Sequence, residues 1–394
     1  MIKIRAIRAT PILVPLEAPY VWSYGVLDGF TKTVVEVETT EGVTGIGEAP
    51  SHAAATIIAS WQEGLVGQDA LDLVRLERLV LPSQPFCHSV TDYATRGAWG
   101  GLEIALWDLR GKLWDQPVAN LLGGIQRKKI PFTDYFAYRL PQGEVAGEAS
   151  IGAVVDYCLA LKNQFGTTFF EGKVSDPDLG ANIALMQALR DALGSDAMLR
   201  IDSNQAFSLP SALYLARGFD ELGLRNWEDP TSEWRQMRKL RTHTAIPFSG
   251  HNVDLTKAVA FGVPDALVAD VAGLGGFSAA MRFVSACEGA GVDFWCYSGD
   301  SGLGTAAYLQ LCAAHLHIRE PNQSLLRQQP VDVISEGPFS PRDNHLSLPE
   351  GPGLGVTLDR DRLAFCANLL EERGLPNKYR DPDSPGNMRR MPLI

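Results

Sequence analysis

From Ile130 onward the chain repeats one pattern. A short apolar or β-branched run is followed by an amphipathic helical stretch, and the pair recurs every two dozen residues or so. The strand candidates are "IPFTDYFAYR", "TTFFEGKV", "MLRIDSN", "RNWEDP", "IPFSGHN", "PDALVADV" and "VDFWCYSGD". Between them lie helical stretches such as "LGANIALMQALRDALG" and "FSAAMRFVSACEGAG", and the first helix is expected around Val145–Phe165. Strands joined by helical crossovers run parallel. Seven or eight such units favour a closed β/α barrel over an open doubly wound sheet. One more short strand is expected near Leu325–Pro330 to complete the ring. No GxGxxG or Walker loop follows any strand, and "AGLGGFS" lacks the full fingerprint, which weakens a nucleotide-binding alternative.

The first 125 residues have a different rhythm. "KIRAIRATPILV" and "KTVVEVETTEGVTGIGEA" alternate as strands, with a hairpin turn at "TEGVTG". Helical stretches "ALDLVRLERLVL" and "GGLEIALWDLRGKLWDQPVANLLG" follow. The expected organisation is therefore an α+β module over 1–125, a barrel over 126–345, and a segment over 346–394 that packs back on the first module. The net charge of −11 argues against a nucleic-acid or anionic membrane partner. No stretch is apolar and long enough to span a bilayer, and "MIKIRAIRATPILVPLEAP" reads as a first strand rather than a signal peptide. The six cysteines (Cys87, Cys158, Cys287, Cys296, Cys312 and Cys366) contain no CxxC pair. They read as buried free thiols of a cytoplasmic protein.

Active sites of such barrels lie at the C-terminal ends of the strands, and unusual polar residues gather there. Glu171 and Lys173 end the second strand, Asp202 and Asn204 the third, Glu228 and Asp229 the fourth, His251 and Asn252 the fifth, Asp270 the sixth, and Tyr297, Ser298 and Asp300 the seventh. A single acid after a strand is often only a helix N-cap. Asp202, Glu228 and His251 on three successive strands would strand buried charge without a cation. A hard divalent ion resolves this: Mg2+ first, with Mn2+ or another divalent ion open because of the imidazole. Such an ion can hold a substrate carboxylate and stabilise the enediolate formed when the adjacent carbon loses a proton. Lys173 is then the candidate base, its pKa expected to fall toward neutrality, with Glu171 working against that fall. A plain structural salt bridge is the alternative for this pair.

"RIDSNQ", "NWEDP", the lysine ending strand two and "DVAGLGG", in this order, resemble the enolase superfamily and more closely its mandelate racemase and glucarate dehydratase branches. "VVEVETTEGVTGIGEAP" and "GLEIALWDLRGKLWDQPVANLLGG" resemble the capping domain of that family. The resemblance implies an α+β cap over a (β/α)7β TIM-like barrel and metal-assisted proton abstraction next to a carboxylate. It implies Asp202 and Glu228 as metal ligands, with the third at His251 by register or at Asn252. Lys173 matches the second lysine of a Lys-x-Lys motif, Asn204 a residue near the substrate, and Asp270 an aspartate supporting a strand-seven histidine. Two positions depart from the pattern. Glu171 stands where the first lysine would be, so it is expected to orient Lys173, bind a hydroxyl or act as a base. Tyr297 stands where the histidine would be; a phenol is a poor base at neutral pH but a usable acid or donor. Trp22, Tyr24 and His52 are candidate substrate-contacting residues of the cap.

The expected activity is that of a metal-dependent lyase that removes the proton next to the carboxylate of an acid sugar and eliminates water. An epimerase or cycloisomerase of a related hydroxy acid, or a catalytically silent binder of metal and acid, are the alternatives. The resemblance also implies a homo-oligomer, a dimer or an octamer.

Overall fold

The computed structural model describes residues 1–81, 93–297, 299–376, 379, 381, 384 and 386–394. Cys87 and Ser298 lie outside the described residues. The N-terminal module is an antiparallel sheet in the order β1 (Ile4–Trp22), β2 (Gly25–Thr39), β3 (Thr44–Ala49). Against it pack α1 (Ala54–Leu65), α2 (Leu73–Val80) and α3 (Tyr93–Trp114), and α4 (Val118–Leu121) leads on toward the barrel. Helix α1 was not anticipated from the sequence. The β1–β2 hairpin does more than carry a sheet. Its tip reaches the barrel, where Val21 N–H donates to Tyr138 O at 2.8 Å and Ser23 Oγ to Asn204 O at 3.0 Å. This contact brings Trp22 and Tyr24 to the barrel mouth.

After β4 (Lys129–Pro131) the barrel alternates as expected: β5 (Asp134–Phe136), α5 (Ile151–Phe165), β6 (Phe169–Lys173), α6 (Leu179–Leu193), β7 (Met198–Asp202), α7 (Leu209–Phe219) and β8 (Asn226–Glu228). It continues through α8 (Trp234–Arg241), β9 (Phe248–Gly250), α9 (Leu255–Phe261), β10 (Ala266–Ala269), α10 (Phe277–Ala290), β11 (Asp293–Cys296) and α11 (Gly302–Ala314). The helices start where short polar side chains cap them: Ser150 Oγ accepts from Ala153 N–H, and the Asp178 carboxylate from Gly180 and Ala181. Strands β5 to β11 form one parallel sheet in sequence order.

The ring closes away from the expected strand. Leu326–Gln328 is a 3-10 turn. The closing link is Asn322–Gln323: Asn322 forms a parallel bridge to Phe132, and Gln323 N–H donates to Cys296 O at 2.9 Å. The last segment divides its contacts. β12 (His345–Ser347) pairs with β4. Helix α12 (Arg360–Arg373) lies on β1, and its Arg360 pairs with Glu36 of β2. The final residues return to the barrel, with Leu393 N–H donating to Ala206 O at 2.7 Å.

Period-two alternation sorts the barrel strands. Phe170, Leu199, Ile201 and Trp227 point outward into the core under the helices, each stabilising the fold by about 1.5–3 kcal/mol. Their neighbours Glu171, Lys173, Arg200, Asp202 and Glu228 therefore face the barrel axis. Gly172 is required between Glu171 and Lys173, since a Cβ there would run into the Phe136 ring and carbonyl.

Candidate active site

A cavity of about 430 Å³ lies between the barrel mouth and the cap. Its floor carries Lys173, Asp202, Asn204, Asp229 and His251; Trp22, Tyr24 and Lys32 line it from the cap. Parallel register sets Lys173 opposite Asp202, and Asp202 opposite Glu228. The loops after β7 and β8 hold this floor with backbone that L-residues adopt reluctantly: Asn204, Gln205 and Asp229 have φ of 41°, 64° and 42°, at a cost of about 1–3 kcal/mol each. Neighbouring contacts offset it. Asn204 N–H donates to Asp202 Oδ1 at 2.8 Å, and Gln205 N–H to Asp229 O at 2.8 Å.

Lys173 donates to both Asp202 and Asn204, and its ammonium stands 5.6 Å and 5.7 Å from the Trp22 and Tyr135 ring centres. Burial opposes its charge, but Asp202 and its neighbours prevail and hold the pKa above the usual lysine value. The expected fall toward neutrality is thus reversed in this arrangement, because the nearest charge is a carboxylate. Glu171 is not beside the cavity. It lies fully buried one step below Lys173, paired with Arg200 Nη2 at 2.7 Å and accepting from Gln323 Nε2 at 2.7 Å. Neither a base nor a hydroxyl-binding role fits that position; Glu171 supports the layer beneath Lys173.

Buried Glu228 accepts from Gln323 Nε2 at 2.8 Å through Oε2, while its Oε1 has no hydrogen-bond partner. Burial, with Asp202, Glu171 and Asp229 nearby, pushes its carboxyl well above the usual range against the pull of His251. His251 Nδ1 stands 3.0 Å from Asp229 Oδ2 and 3.2 Å from Glu228 Oε1. Burial disfavours its charged form, yet these carboxylates raise its pKa to about 10. Asn252 is exposed and outside the cavity lining, so the structure brings His251 and not Asn252 to the carboxylates. Among the described residues no three His, Cys, Asp or Glu side chains stand grouped to hold a metal ion as placed. The adjacent buried carboxylates of Asp202 and Glu228, with a Glu228 oxygen that faces only the His251 ring, nonetheless fit a hard divalent cation in donor chemistry.

Tyr297 lines the cavity, and its phenol donates to Asp270 Oδ2 at 2.7 Å. Asp270 thus engages the phenol hydrogen of Tyr297 in this arrangement. Asp270, with His251 and Tyr297, lines a second cavity of about 440 Å³. Neither Asp229 nor Asp270 caps a helix: the N-cap residues of α8 and α10 are Glu233 and Gly276. Trp22 and Tyr24 stack at 5.0 Å between centroids. His52 does not line the cavity; its Nδ1 is 3.1 Å from Thr31 Oγ1. Lys32 and Gln323 were overlooked from the sequence, and Asp229 was noted at the end of its strand without a role.

A family model described as enolase C-terminal domain-like matches residues 153–362. Another, the mandelate racemase/muconate lactonizing enzyme N-terminal domain, matches residues 4–123. The chain belongs to the enolase superfamily, in its mandelate racemase/muconate lactonizing enzyme branch. It is 28% identical to a "Probable glucarate dehydratase" of Streptomyces coelicolor, over 98% of this chain and 95% of that protein. It is 24% identical to a D-galactarolactone cycloisomerase of Agrobacterium fabrum, over 92% and 98%. An enolase of Thermobispora bispora, crystallised with magnesium and formate, superposes with a TM-score of 0.86 at 26% identity, covering 96% of each chain. The superfamily assignment makes the (β/α)7β barrel and its cap an established fold here. The cysteines among the described residues are free and buried, and no described helix is long and apolar enough to cross a membrane.

Proposed function

We propose that the protein is a metal-dependent dehydratase of an acid sugar, a small carboxylate whose chain carries hydroxyl groups. The observation that carries this reading is the placement of Lys173 on the cavity floor beside Asp202 and Asn204. The wall above suits a polyhydroxylated chain. Among the described residues the buried Trp22 indole N–H has no hydrogen-bond partner, and no hydrogen bond occupies the hydroxyls of Tyr20, Tyr24 and Tyr135 around the cavity. Aromatic faces with spare donors bind C–H and O–H groups together.

Asp202, Glu228 and His251 would hold the cation; magnesium is the first choice, given its presence in the Thermobispora bispora crystal. When bound, it supplies positive charge that stabilises the enediolate and competes with the Lys173 ammonium for Asp202. Lys173, once neutral, takes the proton from the carbon next to the carboxylate. The electron pair forms the new double bond, the C–O bond on the next carbon breaks, and the hydroxide departs with the proton Lys173 has gained. Water leaves and Lys173 returns to its starting state. Tyr297, oriented by Asp270, accepts a hydrogen bond from the substrate. Gln323 and the Glu171–Arg200 pair hold the floor in place.

The test is incubation of the magnesium-loaded protein with a library of sugar acids in deuterated water, followed by proton NMR. Loss of water with appearance of a keto-deoxy acid is expected. Hydrogen exchange without loss of water would favour an epimerase or cycloisomerase, a reading the Agrobacterium relative supports. Absence of both exchange and turnover across the library would leave a silent binder.

A further inference from the structure

Two lysine side chains line the cavity, and only Lys173 has a part in the chemistry above. Lys32 comes from the cap strand β2 and is 4% exposed. Its ammonium pairs with Asp300, which follows β11 on the barrel, so the pair bridges cap and barrel across the cavity edge. Asp300 also accepts from the buried Tyr308 hydroxyl of α11. Beside the pair lies Glu48 of β3, which accepts from Ser301 Oγ and, at 3.3 Å, from Ser301 N–H. Of the three N–H groups of Lys32, Asp300 engages one, and no other hydrogen bond to the ammonium exists among the described residues. On this side of the cavity Tyr297 has turned its own proton toward Asp270. Among the described residues, the charged donor that the cap brings to this side is Lys32.

We propose that Lys32, fixed by Asp300, is a specificity-determining residue that donates a hydrogen bond to a hydroxyl of the substrate rather than to a second carboxylate. This rests on the acid-sugar reading and names the group that reads the sugar chain. Charge balance separates hydroxyl from carboxylate. Lys32 and Asp300 pair with each other, and the Glu48 carboxyl beside them adds no positive charge. The cluster has no positive charge to spare, and an added carboxylate would bring an uncompensated charge into a buried site. A hydroxyl accepts from the spare N–H without that cost, and a site built around such a donor rejects the analogue lacking the hydroxyl.

The test is calorimetric titration of the magnesium-loaded protein with tartrate and with succinate, which share two carboxylates and differ by two hydroxyls. The wild type is expected to prefer tartrate. In Lys32→Met that preference should shrink by about tenfold or more, with succinate affinity unchanged. The double variant Lys32→Met/Asp300→Asn, which leaves no unpaired buried carboxylate, should lose the preference equally while melting near the wild-type temperature. Lys32→Arg should keep part of it. Equal weakening of both ligands, a preference that survives in both Lys32→Met proteins, or no preference in the wild type would overturn the assignment. Binding is read without turnover. A protein that turns over no acid yet shows the Lys32-dependent preference loses the dehydratase reading and keeps this one.

Discussion

Strands β6 and β7 carry two salt bridges one step apart along the same ladder. Register sets Glu171 opposite Arg200 and Lys173 opposite Asp202, so the acid and the base change strands between the layers. The lower pair is sealed. Arg200 is fully buried, also donates to Pro321 O at 2.6 Å, and stacks on Trp295 at 4.5 Å. The upper pair faces the cavity. The two pairs share chemistry and backbone geometry and differ in depth, and depth decides their use. A sealed pair can only hold structure, because separating it leaves a bare charge. A pair at a cavity can exchange partners with a ligand.

Removing the upper amine should have the largest effect. Lys173→Met is expected to lower turnover by about 1,000-fold while the melting temperature stays within a few degrees; a large melting loss with activity retained would invert the two roles. Breaking the lower pair should act on stability instead. Glu171→Leu leaves the Arg200 charge buried and should cost about 3–5 kcal/mol in urea unfolding, and a loss below about 1 kcal/mol would show that the layer is not sealed. Tyr297→Phe removes one hydrogen bond to Asp270 and should slow turnover only about tenfold. A fall as large as that of Lys173→Met, seen in steady-state rates, would make Tyr297 a proton carrier.

The smallest effect concerns the cap cluster. Burial raises Glu48 to about 8, opposed by Lys32 and Ser301 and assisted by Asp300 and Asp332. An unfolded glutamate titrates near ~4.3. Between these values the folded chain keeps a proton that the unfolded chain releases, so stability falls as pH rises through the window. In Glu48→Gln the melting temperature should fall less between about pH 5 and about pH 8 than in the wild type.

The barrel was legible because alternation of strand and helix is a local pattern, and the strand-end residues followed from it. The same alternation places Arg200 and Asp202 on one face, as it does Glu171 and Lys173. Which residue meets which across the ladder depends on register, and register is set by packing of outward residues such as Phe170 and Trp227 rather than by either strand alone. Hence Glu171 was expected beside the substrate when its partner lay underneath. The closing strand was misplaced for a related reason: two residues bonded on both sides have no period to read. Lys32 went unnoticed, and Asp229 was given no role, because a lysine in a strand and an acid after one are common on solvated faces. The meeting of cap and barrel turns Lys32 inward, and contact with His251 holds Asp229 at the mouth.

A ring of strands sewn shut by Asn322 and Gln323 has a seam, and the seam carries a working side chain. The Gln323 amide spans Glu171 below and Glu228 above, so any transient parting of the stitch would loosen both levels together. Amide hydrogen exchange should register this as faster labelling at Gln323 than at Gly172 or Ile201 in the middle of the ladder, and an occupied cavity should slow it.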